Sequence, residues 1–144
     1  MKINHIVILL CLTLTLACKF NVSQKNKPSD QNAAKEITNS FYSDLASGNK
    51  TALYALFGET QKFTKSQMKD MLDLTLSTIT TKYGSIASYK VKNVETNVDE
   101  KDVNGGIYNV TFEVLRENRR YIDTFKLTRQ SGEIKITDYF VTPQ

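Results

Sequence analysis

The segment from Ile107 to Val141, IYNVTFEVLRENRRYIDTFKLTRQSGEIKITDYFV, decides the fold. Apolar and polar residues alternate along it, which is the pattern of β-strands with one buried face. The alternation occupies three stretches, Ile107–Arg116, Arg119–Arg129 and Glu133–Val141. The polar pairs Glu117–Asn118 and Ser131–Gly132 lie between these stretches and suit two-residue hairpin turns. The segment therefore predicts three strands of an antiparallel meander.

These turns also predict the register of the strands. A turn at Glu117–Asn118 sets Val114 opposite Tyr121 and Val110 opposite Phe125. A turn at Ser131–Gly132 sets Leu127 opposite Ile136. The alternating apolar residues then share one face, whereas a slip of one residue would scatter them. The other face is predicted to be solvated or to form a polar partner surface, and it carries Asn109, Thr111, Glu113, Thr124, Lys126, Thr128, Lys135 and Thr137.

A fourth strand is predicted upstream, at Ser88–Val98. Its apolar positions change parity between Val91 and Val94, which indicates a β-bulge near Lys92 or Asn93. The polar stretch Asp99–Gly106 then turns the chain into the meander.

Three helices are predicted before the strands. In Gln31–Ser47, apolar residues recur every four positions, at Ala33, Ile37, Phe41 and Leu45. A short helix follows at Lys50–Phe57. A third runs from Thr64, which with Gln67 matches a capping box, to Gly84. Residues 31–144 are therefore predicted to form a single α+β domain, with N-terminal helices packed on a curved four-stranded antiparallel sheet.

The N-terminus has the features of an export signal. Lys2 precedes an apolar run of 11 residues, Ile6–Leu16, which is too short to span a bilayer but suits a signal peptide. Thr15-Leu16-Ala17-Cys18 resembles the lipobox of bacterial lipoproteins. The resemblance implies cleavage between Ala17 and Cys18 and acylation of the Cys18 thiol. An ordinary secretory signal or an uncleaved N-terminal anchor is the alternative.

Removal of residues 1–17 would limit the chemistry of the mature chain. The chain has two cysteines and one histidine, and both Cys11 and His5 would leave with the signal peptide. Acylation would consume the Cys18 thiol. Ser–His and Cys–His catalysis and histidine-based zinc sites are then excluded, and no cofactor and no metal site are expected.

Residues 18–30 are predicted to be the lipid-bearing cysteine and a flexible tether. The expected location is the cell envelope, with the domain outside the cytoplasm and attached to a membrane through the lipid. Lys19 rather than Asp follows Cys18, so the common inner-membrane retention signal is missing, which favours an outer membrane if the organism has one. A net charge of +4 is too small to predict binding of nucleic acid.

Four local stretches resemble the nuclear transport factor 2-like, or cystatin-like, superfamily, and in particular its small bacterial lipoproteins. They are Phe41-Tyr42-Ser43, the step from Gly48-Asn49 into Leu53–Phe57, Lys82–Ile86 and Gly132–Ile136. The resemblance covers Gln31–Pro143 and implies a cone-shaped α+β fold whose concave face often forms a pocket. Its members include isomerases, dehydratases, transport adaptors and domains without known activity, so it does not determine function.

Two acids interrupt the apolar face of the predicted sheet, Asp123 and Asp138. In the register above, Asp123 lies opposite Phe112 and Phe140, and Asp138 lies opposite Phe125. Paired acids in a pocket would suit acid–base catalysis. Alternatively, they lie at the rim in water, pair with Arg116, Arg119 or a helix lysine, or are turned outward by a bulge. The predicted pocket comprises Asp123, Asp138, Tyr108, Phe112, Tyr121, Phe125 and Phe140.

Basic residues gather around one hairpin: Arg116, Arg119, Arg120, Lys126 and Arg129. They form a solvated hairpin or a surface for anionic headgroups or an acidic partner. Three hypotheses for function follow. The first is a non-enzymatic domain that binds a small ligand or an envelope protein. The second is a pocket enzyme of isomerase or dehydratase type using Asp123 and Asp138. The third is an accessory subunit of an envelope complex that forms a homodimer through the threonine-rich sheet face.

Overall fold

A computed structural model describes residues 23–60, 63–99, 102 and 104–144. The described part is an α+β fold in which three helices accompany an antiparallel sheet. The elements are β1 (Ser23–Lys25), α1 (Pro28–Ser47), α2 (Lys50–Ala55), α3 (Lys65–Tyr83), β2 (Ile86–Asp99), β3 (Gly106–Arg116), β4 (Arg119–Gln130) and β5 (Glu133–Pro143). The α+β class is confirmed, but the sheet has five strands and not four.

The sheet follows chain order, β1-β2-β3-β4-β5, and every neighbouring pair is antiparallel. Both predicted turns are present. Val114 lies opposite Tyr121, and Leu127 lies opposite Ile136, as predicted. Ser131 and Gly132 both have positive φ, 51° and 85°. A two-residue hairpin turn whose twist matches that of its strands requires positive φ at both central residues.

Two strands are interrupted by changes of register. The bulge predicted in β2 is confirmed between Val91 and Asn93. A second one lies in β5, where Leu127 pairs with Ile136 but Lys126 pairs with Asp138. A bulge that turns an acid outward was one of the alternatives that the sequence left open. Thr137 is thus the extra residue, and its hydroxyl donates a hydrogen bond to the Lys126 carbonyl at 3.2 Å. Because one inserted residue reverses the parity of a strand, residues after Thr137 face the opposite way from the prediction.

The first described residues belong to the folded domain. Ser23–Lys25 pairs with β2, and Asn26 continues the contact, because its amide donates to the Thr96 carbonyl at 2.9 Å and its side chain accepts from the Thr96 amide at 2.9 Å. Helix α1 then begins at Pro28, three residues earlier than predicted. Residues 23–30, which the sequence assigns to a flexible tether, therefore include strand β1 and the start of α1. The predicted signal peptide, its cleavage site and Cys18 lie outside the described residues.

The helices follow their local signals closely. In α3, the Thr64 side chain accepts from the Gln67 amide and the Gln67 side chain accepts from the Thr64 amide, which confirms the capping box. Helix α2 ends at Ala55, earlier than predicted, because Phe57 forms a parallel bridge with Ile136 at the edge of β5. No helix in the described ranges is both long enough and apolar enough to cross a membrane.

The core lies between α1 and the inner face of the sheet. The buried residues of α1 are Ala34, Thr38, Phe41 and Tyr42, so its inward face is rotated from the predicted stripe, in which Ile37 and Leu45 are only partly buried. Phe41 is fully buried and its ring contacts those of Phe125 and Tyr139 at 4.9 and 4.8 Å between centroids. The described core residues fall between Ala34 and Tyr139, so a chain of residues 19–144 retains this core and we expect it to fold.

Candidate functional site

Asp123 is a fully buried carboxylate at the centre of the molecule. It lies on β4 opposite Phe112, with its side chain on the core face, as predicted. A buried carboxylate requires hydrogen bonds or an opposite charge, because removing it from water is costly. Three side chains from three other elements meet this requirement.

Three hydrogen-bond donors converge on one oxygen of Asp123, Oδ2. The Arg116 Nη2 donates at 2.7 Å, the Tyr139 hydroxyl at 2.7 Å and the Tyr42 hydroxyl at 3.1 Å. Arg116 Nη2 also donates to the Tyr139 hydroxyl at 3.0 Å. We call Tyr42, Arg116, Asp123 and Tyr139 the buried quartet. The pairing of Asp123 with Arg116 was one of the alternatives that the sequence left open, and it is the one observed.

Burial raises the pKa of Tyr42, Asp123 and Tyr139 in this quartet. Desolvation raises the pKa of the Asp123 carboxyl, and the Arg116 guanidinium and the two phenols oppose that rise. Burial, followed by the nearby Asp123 charge, raises the pKa of both Tyr42 and Tyr139. Both phenols therefore keep their protons and remain donors to Asp123.

The quartet retains unused hydrogen-bonding capacity. Among the described residues, Oδ1 of Asp123 and Nε of Arg116 are buried and have no hydrogen-bond partner. Arg116 and Asp123 are only 2% and 0% exposed. An unsatisfied buried polar atom usually costs about 1–3 kcal/mol, so the hydrogen bonds of the quartet leave two buried polar atoms uncompensated.

A cleft of about 650 Å³ adjoins the quartet. It lies between the C-terminal half of α1, the C-terminal half of α3 and the start of β2. Three members of the quartet, Tyr42, Arg116 and Tyr139, line it. The other lining residues are mostly apolar or small: Leu45, Ala46, Leu76, Ile79, Thr80, Ser85, Ile86, Ala87, Ser88 and Tyr89. This combination of apolar walls and a few convergent polar groups is typical of small-molecule sites.

An aromatic stack forms part of the cleft wall. The ring of Tyr89 lies on that of Tyr42, with centroids 4.0 Å apart and 17° between the planes. Tyr89 remains 42% exposed. It thus presents an accessible aromatic surface directly above the buried quartet.

The structure does not bring Asp138 into this site. The bulge at Thr137 pairs Asp138 with Lys126 rather than with Phe125, and Asp123 lies opposite Val141 rather than Phe140. Asp138 is 54% exposed and forms a surface ion pair with Lys126 at 3.9 Å. Phe140 is also exposed, at 40%. The predicted pair of acids is therefore absent.

The remaining four residues of the predicted pocket are buried and do not line the cleft. Phe112 and Phe125 are fully buried in the core, and Tyr121 is nearly so. Tyr108 is also buried, and its hydroxyl accepts a hydrogen bond from Arg129 at 3.1 Å. Of the seven residues predicted for the pocket, Asp123 alone belongs to the buried quartet.

Three residues of the quartet, Tyr42, Arg116 and Tyr139, were not predicted as site residues from the sequence. Arg116 continues the inward parity of Tyr108 through Val114, which was a usable signal. Tyr139 lies on the polar parity of β5 until the bulge is known. Tyr42 follows Phe41 on α1, and nothing in its spacing points to a residue 81 positions later in the chain.

The basic hairpin does not form one continuous surface. Arg116 is buried in the quartet and Arg129 bonds to Tyr108, while Arg119, Arg120 and Lys126 are exposed. In the described ranges, no group of three or more His, Cys, Asp or Glu side chains is arranged to hold a metal ion.

Comparison with known proteins identifies no family for this chain. No family model matches the chain. No curated protein and no solved structure matches it either. The function must therefore be argued from the quartet and the cleft.

Proposed function

We propose that this chain is a lipid-anchored cell-envelope protein whose cleft binds a small ligand without chemical change. The observation that carries the proposal is the cleft of about 650 Å³, with apolar walls and the polar quartet at its side. Pockets of this size and lining bury most of the surface of a small organic molecule.

Binding is favoured over catalysis by the state of the buried acid. Asp123 is 0% exposed, and its Oδ2 already accepts three hydrogen bonds. A general base must reach the proton that it removes, and this carboxylate is held behind the side chains that line the cleft. Asp138, the second acid of the enzyme hypothesis, lies on the surface. Asp123 and Asp138 therefore do not form a pair that could divide the roles of acid and base.

The order of elements supports a relationship to the nuclear transport factor 2-like cone. After the short strand β1, three helices precede a meander, and bulges interrupt β2 and β5. Bulges of this kind bend a sheet, which would give it the concave face that the cone requires. The cleft then lies between that face and the helices, where proteins of the cone often have a pocket.

The anchor is tested by changing the thiol that would carry the lipid. Cys18→Ser is expected to abolish acylation and cleavage at residue 18, because the acyl chains require that sulfur. Intact-mass spectrometry of the protein from isolated membranes measures both. The Cys11→Ser variant is the matched control, since Cys11 lies within the apolar run, and it should mature normally. Normal processing and lipid mass in Cys18→Ser would refute the anchor.

The cleft is tested by filling it. Ala46 lines the cleft and Ser43 does not, although both are exposed residues of α1. Ala46→Phe is expected to remove any small molecule that co-purifies with the protein from envelope extracts, because the phenyl ring occupies the space. Ser43→Phe should keep it. Native mass spectrometry compares the two, and equal ligand content would show that the molecule binds elsewhere.

A further inference from the structure

We infer that the cleft selects uncharged molecules with an apolar body and one terminal group that both donates and accepts a hydrogen bond, such as a hydroxyl. The inference rests on the proposed function and specifies the chemistry of its ligand. It follows from the charge and hydrogen-bond inventory of the buried quartet.

The charge of the quartet is already balanced. Arg116 is the one charged side chain among the described residues that line the cleft, and it is paired with Asp123 at 2.7 Å. A ligand carboxylate would bring a second anion to a guanidinium that already has one. A ligand ammonium would approach a guanidinium directly. Either ion would be desolvated without a free counter-charge, which is unfavourable in a buried site.

The hydrogen bonds within the quartet leave two phenol oxygens that can still accept a hydrogen bond and one guanidinium N–H group that can still donate one. Tyr42 and Tyr139 each donate their single hydroxyl hydrogen to Asp123, so their oxygens can only accept from a further partner. The Nε–H group of Arg116 is a buried donor without an acceptor. A hydroxyl suits this set because it can donate to a phenol oxygen and accept from a guanidinium. A ligand that only accepts would leave the phenol oxygens unused.

The rest of the cleft favours an apolar body. Leu45, Leu76, Ile79 and Ile86 contribute aliphatic side chains, and Tyr89 contributes a partly exposed ring. Each methylene that a ligand buries here contributes about a threefold to fourfold gain in affinity, from roughly 0.8 kcal/mol per group. An eight-carbon chain is small enough for a cleft of about 650 Å³.

Three probes that share an octyl chain and differ only in the terminal group test the inference: 1-octanol, nonanoate and octylammonium. Each is titrated into soluble protein of residues 19–144, and affinities are taken from shifts in amide NMR spectra. We expect 1-octanol to shift residues that line the cleft and to bind at least about tenfold more tightly than either ion, as the cost of an unpaired buried charge predicts.

Two matched variants test the role of the quartet. Tyr42→Phe removes the hydroxyl that donates to Asp123, whereas Tyr54→Phe removes a hydroxyl that donates to another carboxylate, that of Asp73 at 2.8 Å, outside the cleft. Tyr42→Phe is expected to weaken 1-octanol binding about fivefold to tenfold, the usual effect of one lost hydrogen bond. Tyr54→Phe should leave it unchanged. Cooperative urea unfolding of both variants verifies that each is folded.

The outcomes separate this inference from the proposed function. Tighter binding of nonanoate or octylammonium in the cleft would overturn the preference for an uncharged group and leave cleft binding intact. Equal losses in the two tyrosine variants would overturn the role of the quartet. If none of the three probes shifts cleft residues in the folded protein, the proposed binding function fails together with the inference.

Discussion

Replacing Arg116 by Ala is expected to lower the free energy of unfolding by roughly 3–5 kcal/mol. The substitution leaves Asp123 buried, at 0% exposure, without the guanidinium that lies 2.7 Å away. Total stabilities of small domains are about 5–15 kcal/mol, so this loss would bring the protein close to unfolding at room temperature. Urea denaturation of the chain of residues 19–144, followed by circular dichroism, measures it.

A double variant and a surface control identify the cause. Arg116→Met combined with Asp123→Asn removes both charges but keeps an acceptor for Tyr42 and Tyr139, and it should recover more than half of the loss. Lys126→Ala breaks an ion pair of the same type in which both side chains are 54% exposed, and it should cost less than about 1 kcal/mol. Similar losses in Arg116→Ala and Lys126→Ala would refute the importance of burial.

The loss in Arg116→Ala should also depend on pH. Burial raises the pKa of Asp123, and Arg116 is one of the groups that lower it, so the variant has a still higher folded-state pKa. A group whose pKa is higher in the folded state binds more protons there, and stability then falls as pH rises through the interval between the unfolded and folded values. The stability deficit should therefore be larger at pH 8 than at pH 5. A deficit that grows on acidification would contradict this assignment.

Replacing Phe41 by Ala is the second change with a large expected effect, a loss of about 3–5 kcal/mol. Phe41 is fully buried, and its ring contacts four others, those of Tyr42, Phe57, Phe125 and Tyr139, at centroid distances of 4.8 to 6.1 Å. Its removal leaves a cavity where α1 meets the sheet. These contacts join α1 to β4 and β5, so the loss should appear as a lower urea midpoint for the whole domain.

The matched control for Phe41→Ala is Leu74→Ala. Leu74 is also an apolar helix residue, but 69% of its surface is exposed, so its truncation should change stability by no more than about 0.5 kcal/mol. If Phe41→Ala were as mild as Leu74→Ala, the packing of α1 on the sheet would have to be reconsidered. The prediction concerns the fold alone and does not depend on a ligand.

These two changes also bear on the candidate site. Tyr42 follows Phe41 on α1, and its hydroxyl bonds to Asp123. Arg116 ends β3, and Tyr139 reaches the quartet from β5. The quartet therefore joins α1, β3, β4 and β5 beneath the cleft. These hydrogen bonds hold the polar atoms in position for a ligand, and preorganisation of this kind reduces the entropic cost of binding.

Local patterns in the sequence predicted much of the fold. The alternation in β3 and β4, the turn at Glu117–Asn118 and the register of Val114 with Tyr121 are all observed. So are the bulge in β2 and the capping box of Thr64 and Gln67. These features depend on residues close together in the chain or on adjacent strands, so composition and spacing carry the information.

Other features depend on the tertiary structure alone. The bulge at Thr137 decides which way the side chains of Asp138, Tyr139 and Phe140 point. Tyr139 packs against Phe41 and Phe125, while Phe140 stays exposed. The buried quartet depends on the same choice. Its members come from four elements, and their hydrogen bonds span up to 81 positions. No local sequence period encodes such contacts, because they form only when one helix and three strands pack around the same core.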